Sequence, residues 1–270
     1  MSSTVGKVRC LFKVADNVLR LCAGGALKHE SLIEIQKFMN STNDKLEHET
    51  PHFGNTLLGA VPSVVYNEDC VDGLKRFNDN YFDLAIVDPP YGISRDGHSG
   101  VKAKKAEHNW KKYDFKGWDS ERPNKKYWDE LFRVSKNQIV FGANYFTEYL
   151  PPSMGWIFWD KGQELTMSDG ELIFTSFEKA MRRKIINRAS AREEGMIHPT
   201  QKPTLIYNFC LDFAKAEIGW RILDTHVGSG SSRIACQKRG LAFTGFEIDK
   251  DYYEAQEKRF KDFVSQLRLF

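Results

Sequence analysis

A series of apolar runs, each about as long as a β-strand, is spread along the chain from residue 63 to residue 247. Several are apolar throughout, such as "DLAIV" at 83–87, which is typical of parallel strands covered on both faces. Helical patterns lie between or after these runs. The alternation predicts an α/β fold with a doubly wound, mostly parallel sheet, whose ligands bind beyond the carboxyl ends of the strands. The predicted strands are 63–67, 83–87, 138–142, 155–159, 171–175, 221–224 and 242–247, and the predicted helices are 71–77, 126–135, 203–216, 231–239 and 251–267.

Composition narrows the class of protein. The chain has 270 residues, of which 41% are hydrophobic and 28% are charged, and this is typical of a globular protein with a substantial core. No run approaches the roughly 20 apolar residues of a membrane span, and charged residues interrupt the first 25 positions. We therefore expect a cytoplasmic protein with no membrane partner. The 5 cysteines form no CxxC pair, which indicates free thiols rather than disulfides or a zinc site.

The domain organisation follows from the same patterns. Residues 1–60 hold helical patterns at 8–22 and 31–39 and a polar stretch at 40–56, so they are predicted to form an N-terminal helical extension of unknown role. Residues 61–270 are predicted to form the α/β domain, with a short insertion at about 162–197.

The segment "RILDTHVGSG" at 221–230 joins a short strand to a helix through two glycines. Glycines there let the backbone approach a ligand, and the helix N-terminus offers free amides to an anionic group. Glu247 ends the next strand about 20 residues later, where a carboxylate can accept hydrogen bonds from a ribose. The pair indicates a nucleoside cofactor. A third glycine and a Walker lysine are lacking, which argues against a dinucleotide, and a plain glycine turn remains the alternative for this loop alone.

A second strand, 83–87, ends in "DPPYG" at 88–92. Pro89 and Pro90 have no amide hydrogens and fix an extended backbone, so the ionised Asp88 and the Pro89 carbonyl form an acceptor-rich pocket. Such a pocket suits the NH2 group of an aromatic base, whose lone pair is delocalised into the ring. Two acceptors would orient that nitrogen toward an electrophile, an effect for which mutational costs of about 100- to 1000-fold are typical. Tyr91 offers a face for stacking, worth about 1–3 kcal/mol per base.

These residues resemble the amino-group DNA methyltransferases that use S-adenosylmethionine (SAM) and modify N6 of adenine or N4 of cytosine. "DPPYG" is similar to their catalytic motif, "DTHVGSG" to their cofactor loop, and "HPTQKP" at 198–203 precedes that loop. "FWDKG" at 158–162 and "SDGELIFTSF" at 168–177 also resemble family segments. Because the catalytic motif comes first, the order resembles the β group, a circularly permuted form of the Rossmann-like methyltransferase fold.

The resemblance implies roles for individual residues. The catalytic residues would be Asp88, Pro89, Pro90 and Tyr91, which bind and activate a flipped base. Asp224, Gly228 and Gly230 would line the methionine end of SAM, Glu247 would bind its ribose, Asp69 its adenine, and Thr200 with Lys202 its carboxylate. For Asp69, an ordinary strand-end cap is an equally good interpretation. The full cofactor set implied is Asp69, Cys70, Asp88, Thr200, Lys202, Asp224, His226, Gly228, Gly230, Ser231 and Glu247.

The chain departs from the family pattern at Thr225 and His226, where these loops usually carry Pro-Phe with the phenyl ring beside the cofactor. His226 can either take that place or weaken cofactor binding. His198 has no catalytic role implied and is interpreted as a structural hydrogen-bonding residue.

Two basic segments are the candidate DNA contacts, although the net charge is only +3. One is the loop at 93–126 and the other is "KAMRRKIINRASAR" at 179–192, whose arginines suit phosphates or guanine edges. A solvated surface is the alternative for most of these charges. The candidates are Lys104, Lys105, Lys111, Lys112, Arg182, Arg183, Lys184 and Arg188.

The resemblance implies methyl transfer from SAM to the N6 amine of adenine in double-stranded DNA, with S-adenosylhomocysteine as the product and no metal. An aspartate rather than a serine before the prolines favours adenine over N4 of cytosine. Methylation of RNA guanine and a catalytically inactive DNA-binding module are further alternatives. A homodimer and a cognate restriction endonuclease in a restriction-modification pair are partners that the family implies.

Overall fold

The computed structural model describes residues 61–94, 116–162, 168–187, 190 and 193–267, and these form an 8-stranded sheet with helices on both faces. The strands are β1 (Ser63–Tyr66), β2 (Leu84–Val87), β3 (Gln138–Phe141), β4 (Ile157–Asp160), β5 (Gly170–Thr175), β6 (Arg182–Ile185), β7 (Arg221–Asp224) and β8 (Ala242–Phe246). The helices are α1 (Cys70–Leu74), α2 (Lys125–Val134), α3 (Thr204–Ala214), α4 (Ser231–Lys238) and α5 (Lys250–Leu267). A 3-10 turn spans Ala143–Tyr145.

The sheet order β1-β8-β7-β2-β3-β5-β4-β6 places the two motif-bearing strands side by side. β2 pairs in parallel with β7, and the register sets Ala85 opposite Leu223. From β2 the chain continues outward to β3, and from β7 it continues outward to β8 on the other side. The strand order therefore reverses between β2 and β7. In open α/β sheets, ligands bind at such a reversal, outside the carboxyl ends of the strands.

Two hydrophobic layers cover the sheet. In β2, Leu84 and Ile86 pack with residues of α3 and α4, whereas Ala85 and Val87 pack on the opposite face with residues of α1 and α2. All four side chains of this strand are buried. A strand between two helical layers is apolar at every position. This is why the sequence of β2 shows no alternation of apolar and polar residues. The α/β prediction is confirmed.

Each predicted strand of the sequence corresponds to an observed one, and the predicted helices after residue 60 are observed as well. β6 was missed. Its four side chains, from the sequence "RRKI", are all exposed at the edge of the sheet beside β4, so no apolar signal marks it. Strands β3 and β5 and strands β4 and β5 pair antiparallel, which makes the sheet mixed. Within the residues described, no helix is both long and apolar enough to span a bilayer.

The predicted helices at 8–22 and 31–39 lie outside the described residues, as does most of the predicted basic loop. The predicted boundary at residue 60 and the predicted insertion at 162–197 stay predictions.

Candidate active site

The loop after β7 is held by the carboxylate that ends the strand. Asp224 is fully buried; its Oδ1 accepts from the amide of His226 at 3.0 Å, and its Oδ2 accepts from the Ser232 hydroxyl at 2.6 Å. Burial raises the pKa of Asp224 to about 7. Both contacts are internal, so the structure gives this residue the task of closing the loop onto the first turn of α4.

The glycines of this loop adopt the left-handed conformation that favours glycine: φ is +52° at Gly228 and +76° at Gly230, the residue that caps α4. Ser231 opens the helix and is buried. Glu247, at the end of β8, accepts from the Gly228 amide at 2.8 Å and from the Asp249 amide at 2.9 Å. Each of its oxygens keeps a second lone pair, so the carboxylate can still accept from a ribose hydroxyl.

His226 lies partly exposed on the same loop. Its Nδ1 is 2.9 Å from the Thr225 hydroxyl, which is 2.7 Å from the hydroxyl of Tyr127 on α2. The ring also meets the Tyr127 ring edge to face. Burial lowers the pKa of His226 to about 4, so the ring is neutral at physiological pH. Thr225 and His226 thus tie the loop to α2 in a way that a Pro-Phe pair could not.

The residues after β1 take simpler roles. Asp69 is exposed and caps α1, accepting from the amide of Asp72 at 3.1 Å. This is the ordinary cap that was the alternative for this position, and within the part of the chain that the structure describes the second oxygen of the carboxylate accepts no hydrogen bond. The Cys70 thiol is buried, and burial raises its pKa to about 12, so it stays protonated.

The "HPTQKP" segment lies against the glycine loop. The His198 ring is buried, and its Cδ2 lies 3.6 Å from where a Cβ on Gly228 would sit. Its Nδ1 is 3.2 Å from the Thr200 hydroxyl, and burial lowers its pKa to about 3. Beside it, the indole nitrogen of Trp118 is buried and finds no hydrogen-bond partner among the residues described. A buried donor without a partner among the residues described fits a polar ligand at this edge.

At the carboxyl end of β2, Asp88 joins a compact cluster that we call the Asp88 cluster: Asp88, Tyr91, Glu171 and Lys202. Asp88 Oδ1 accepts from the Tyr91 hydroxyl at 2.7 Å, and its Oδ2 is ion-paired with the Lys202 ammonium. The Tyr91 hydroxyl lies 2.8 Å from Glu171 Oε1, and Lys202 Nζ lies 3.3 Å from the same atom.

Lys202 supplies the ammonium of the Asp88 cluster, and only 6% of its side chain is exposed. Burial lowers the pKa of Lys202, but the Asp88 and Glu171 carboxylates outweigh that effect and hold it above its ordinary value. The resemblance implied that Lys202 holds the carboxylate of SAM. In the structure its ammonium is paired with Asp88, and the role toward SAM stays a prediction.

The "DPPYG" turn is fixed by a residue from a distant segment. The buried Asp119 carboxylate accepts from the amides of Tyr91 and Gly92 at 2.7 and 3.0 Å. The Tyr91 ring stacks on Tyr145, with centroids 4.9 Å apart, and packs so closely on Gly142 that a Cβ there would lie 2.3 Å from the ring. Pro89 is buried and Pro90 is half-buried. One face of Tyr91 is therefore already occupied by protein.

Of the predicted DNA contacts, the structure describes Arg182, Arg183 and Lys184, all exposed on β6. Arg183 is ion-paired with Asp160, and the Lys184 ammonium lies 5.3 Å from the centroid of the Phe209 ring. The other predicted contacts lie outside the described residues: Lys104, Lys105, Lys111, Lys112 and Arg188.

Sequence reasoning missed Glu171 and Asp119. Glu171 is an acid in the apolar strand "GELIFT", two positions before the buried Ile173 on the same face, and that placement was the available signal. Asp119 lies in a polar stretch where nothing distinguishes it.

Three comparisons with known proteins bear on this arrangement. Residues 155–258 match the family model described as DNA methylase of the N6/N4 type. The chain is 24% identical over 238 residues to the type II methyltransferase M.HpaI of Haemophilus parainfluenzae, covering 71% of this chain and 72% of that protein. It is 23% identical over 247 residues to M2.MboI of Moraxella bovis, covering 76% and 89%.

A solved structure of M1.HpyAVI with SAM aligns with a TM-score of 0.50 and 19% identity, over 72% of this chain and 98% of that one. This likeness shows the Rossmann-like α/β fold found in methyltransferases, with the strand that leads into "DPPYG", β2, ahead of the strand that leads into the glycine loop, β7, in the chain. The family match and the two relatives make the chain similar, over most of its length, to amino-group DNA methyltransferases of the N6/N4 type.

Proposed function

We propose that the protein transfers a methyl group from SAM to the N6 amine of an adenine in double-stranded DNA. The observation that supports this most directly is the position of Asp88. It follows β2 at the same sheet edge where the neighbouring β7 leads into the glycine loop, so an amine held by Asp88 lies beside a ligand held by that loop. An aspartate, rather than a serine, before the two prolines favours adenine over cytosine.

SAM fits the residues around the loop. M1.HpyAVI binds it on the same fold. Here the backbone amides at the start of α4, the Glu247 carboxylate and the buried Trp118 indole N–H would hold it, with Asp69 and Thr200 at the edges. When bound, SAM supplies a methyl group made electrophilic by a sulfonium.

The work of the chain is to present the amine. An adenine inside a duplex has its amine in a base pair, so the base must leave the stack before Asp88 can reach it. Asp88 and the Pro89 carbonyl would accept the two amine hydrogens and leave the nitrogen lone pair directed at the methyl carbon. The amine proton released after transfer passes to solvent. Positioning and electrostatic preorganisation would supply the rate enhancement.

Asp88→Ala tests this role. We expect a loss of methylation of about 100-fold or more, because the acceptor is in direct contact with the reacting group. Binding of SAM measured by calorimetry should stay within a few-fold of the wild-type value, since the glycine loop is untouched and Glu171 still pairs with Lys202. Asp262→Ala is the matched control, because its exposed ion pair with Lys258 contributes little.

Mass spectrometry of nucleosides from methylated DNA identifies the product. N6-methyladenine supports the proposal, and N4-methylcytosine would redirect it to the other base of the family. Unchanged turnover in the Asp88→Ala variant would remove Asp88 from the mechanism.

A further inference from the structure

The Asp88 cluster has a feature that the proposed reaction does not use. Both oxygens of Asp88 already have protein donors: Oδ1 has the Tyr91 hydroxyl and Oδ2 has the Lys202 ammonium. An incoming amine must compete with these donors for the lone pairs of the carboxylate. A carboxylate bound to an ammonium alone is also a weaker acceptor, because its charge is largely neutralised.

Glu171 offers both donors a second acceptor. The oxygen of Tyr91 lies 2.7 Å from Asp88 Oδ1 and 2.8 Å from Glu171 Oε1. A phenol has a single proton, so Tyr91 can donate to one carboxylate at a time. Because the two distances are nearly equal, a rotation of the hydroxyl alone moves this hydrogen bond from Asp88 to Glu171 and frees Oδ1.

The ammonium is shared in the same way. Lys202 Nζ lies 3.3 Å from Glu171 Oε1 while it pairs with Asp88 Oδ2. Behind Glu171, the Lys161 ammonium lies 3.6 Å from its other oxygen, Oε2. Two carboxylates and two ammonium groups thus alternate, and the side chains of Lys202, Glu171 and Asp88 are 6%, 12% and 18% exposed. Because so little solvent screens these groups, removing the charge of one changes the electrostatic energy of the others.

We propose that Glu171 is a positioning residue of the methyl-transfer site, which takes up the Tyr91 hydroxyl and shares the Lys202 ammonium so that Asp88 stays open to the target amine. This inference rests on the proposed function. It assigns Glu171 no contact with the base or the cofactor.

The first test is Glu171→Gln, which keeps the shape of the side chain and removes its charge. Lys202 is then paired with Asp88 alone, and we expect the single-turnover methylation rate to fall by about 10- to 100-fold, less than for a group in direct contact with the reacting atoms. The KM for DNA and the Kd for SAM should stay within about twofold. Glu178→Gln is the matched control, because Glu178 is exposed just after the same strand, and it should keep the wild-type rate.

The second test places the same change in a Lys202→Met background. Without the ammonium, Asp88 and Glu171 are two buried carboxylates that share one phenol, and they repel each other. Glu171→Gln removes that repulsion, so in this background it should leave the rate unchanged or raise it, and it should raise the melting temperature. If Glu171 and Lys202 acted independently, the effects of the two substitutions on the rate would multiply to within about twofold. An effect of Glu171→Gln that changes sign between the two backgrounds indicates that Asp88 and Glu171 share the Lys202 ammonium.

The outcomes are separable. A wild-type protein that methylates no DNA overturns both the proposed function and this inference. A wild-type protein that is active, with Glu171→Gln at the wild-type rate, overturns the inference alone. A fall in rate that is the same in both backgrounds, with no reversal in the melting temperature, would show that Glu171 acts without Lys202 and would also overturn it.

Discussion

The buried carboxyl group of Asp224 should make the stability of the protein depend on pH, whatever the protein's activity. Its pKa is raised from 3.8 to about 7, chiefly because the group is fully buried. Because its pKa is higher in the folded than in the unfolded protein, the contribution of Asp224 to stability is fully present below about pH 3.8 and is lost as the pH rises through about 7. The difference between the two pKa values corresponds to at most about 4 kcal/mol of unfolding free energy.

Asp224→Asn removes the ionisation and keeps the shape. The amide oxygen can still accept from the His226 amide, and the Ser232 hydroxyl can turn to accept from the new NH2 group. We expect the variant to be about 2–4 kcal/mol more stable than the wild type at pH 8. Between pH 5.5 and 7 the wild type should lose about 2 kcal/mol relative to the variant.

Urea denaturation at several pH values measures this difference. The pKa values of His198 and His226 are lowered by burial to about 3 and about 4, so they contribute stability that is lost as the pH falls. The pH dependence that these histidines contribute is opposite in sign to that of Asp224. Both histidines are present in the wild type and in Asp224→Asn, so the difference in unfolding free energy between the two proteins reports on Asp224. Asp129→Asn, an exposed residue of α2, is the control. A variant that is less stable at pH 8, or a difference that does not change with pH, would refute the reasoning.

Two further predictions concern the edges of the site. Arg259 donates to the Ser229 carbonyl at 2.8 Å and to the Ser231 hydroxyl at 3.0 Å; Arg259→Met should raise the Kd for SAM by about tenfold, the effect of about 1.4 kcal/mol, as measured by calorimetry. On β6, Arg182→Ala should weaken DNA binding and reduce the salt dependence by about one phosphate contact, whereas Arg183→Ala should do less because Arg183 is paired with Asp160; binding titrations at several salt concentrations separate the two.

The positions of the two strand-end motifs could be predicted from sequence because they depend on local patterns. Apolar runs with helices between them lead to parallel strands, and parallel strands bring their carboxyl ends to one edge. Asp88 and the loop at 225–230 therefore had to lie at that edge, whatever their separation along the chain. The prediction did not extend to β6, because its exposed "RRKI" carries no apolar face.

The partners of Asp88 could not be predicted in this way. Lys202 lies 114 residues after Asp88, and Glu171 lies 80 residues after Tyr91. Which lysine reaches which acid depends on side-chain direction and on the antiparallel pairing of β3 with β5, which brings Glu171 to the catalytic edge. Neither is encoded in a local pattern. For the same reason, the "HPTQKP" motif gave no indication that Lys202 pairs with Asp88.

The ion pair of Lys202 with Asp88 also bears on how the site meets its substrate. A carboxylate held by a single cation is a poor acceptor, because the cation largely neutralises its charge. A second carboxylate at hydrogen-bonding distance from the same donors avoids this outcome. The fold supplies it from β5, two strands away from β2 in the sheet order. In the proposed reaction, an amine that binds Asp88 Oδ1 displaces only the hydrogen bond of Tyr91, for which Glu171 provides an acceptor at nearly the same distance.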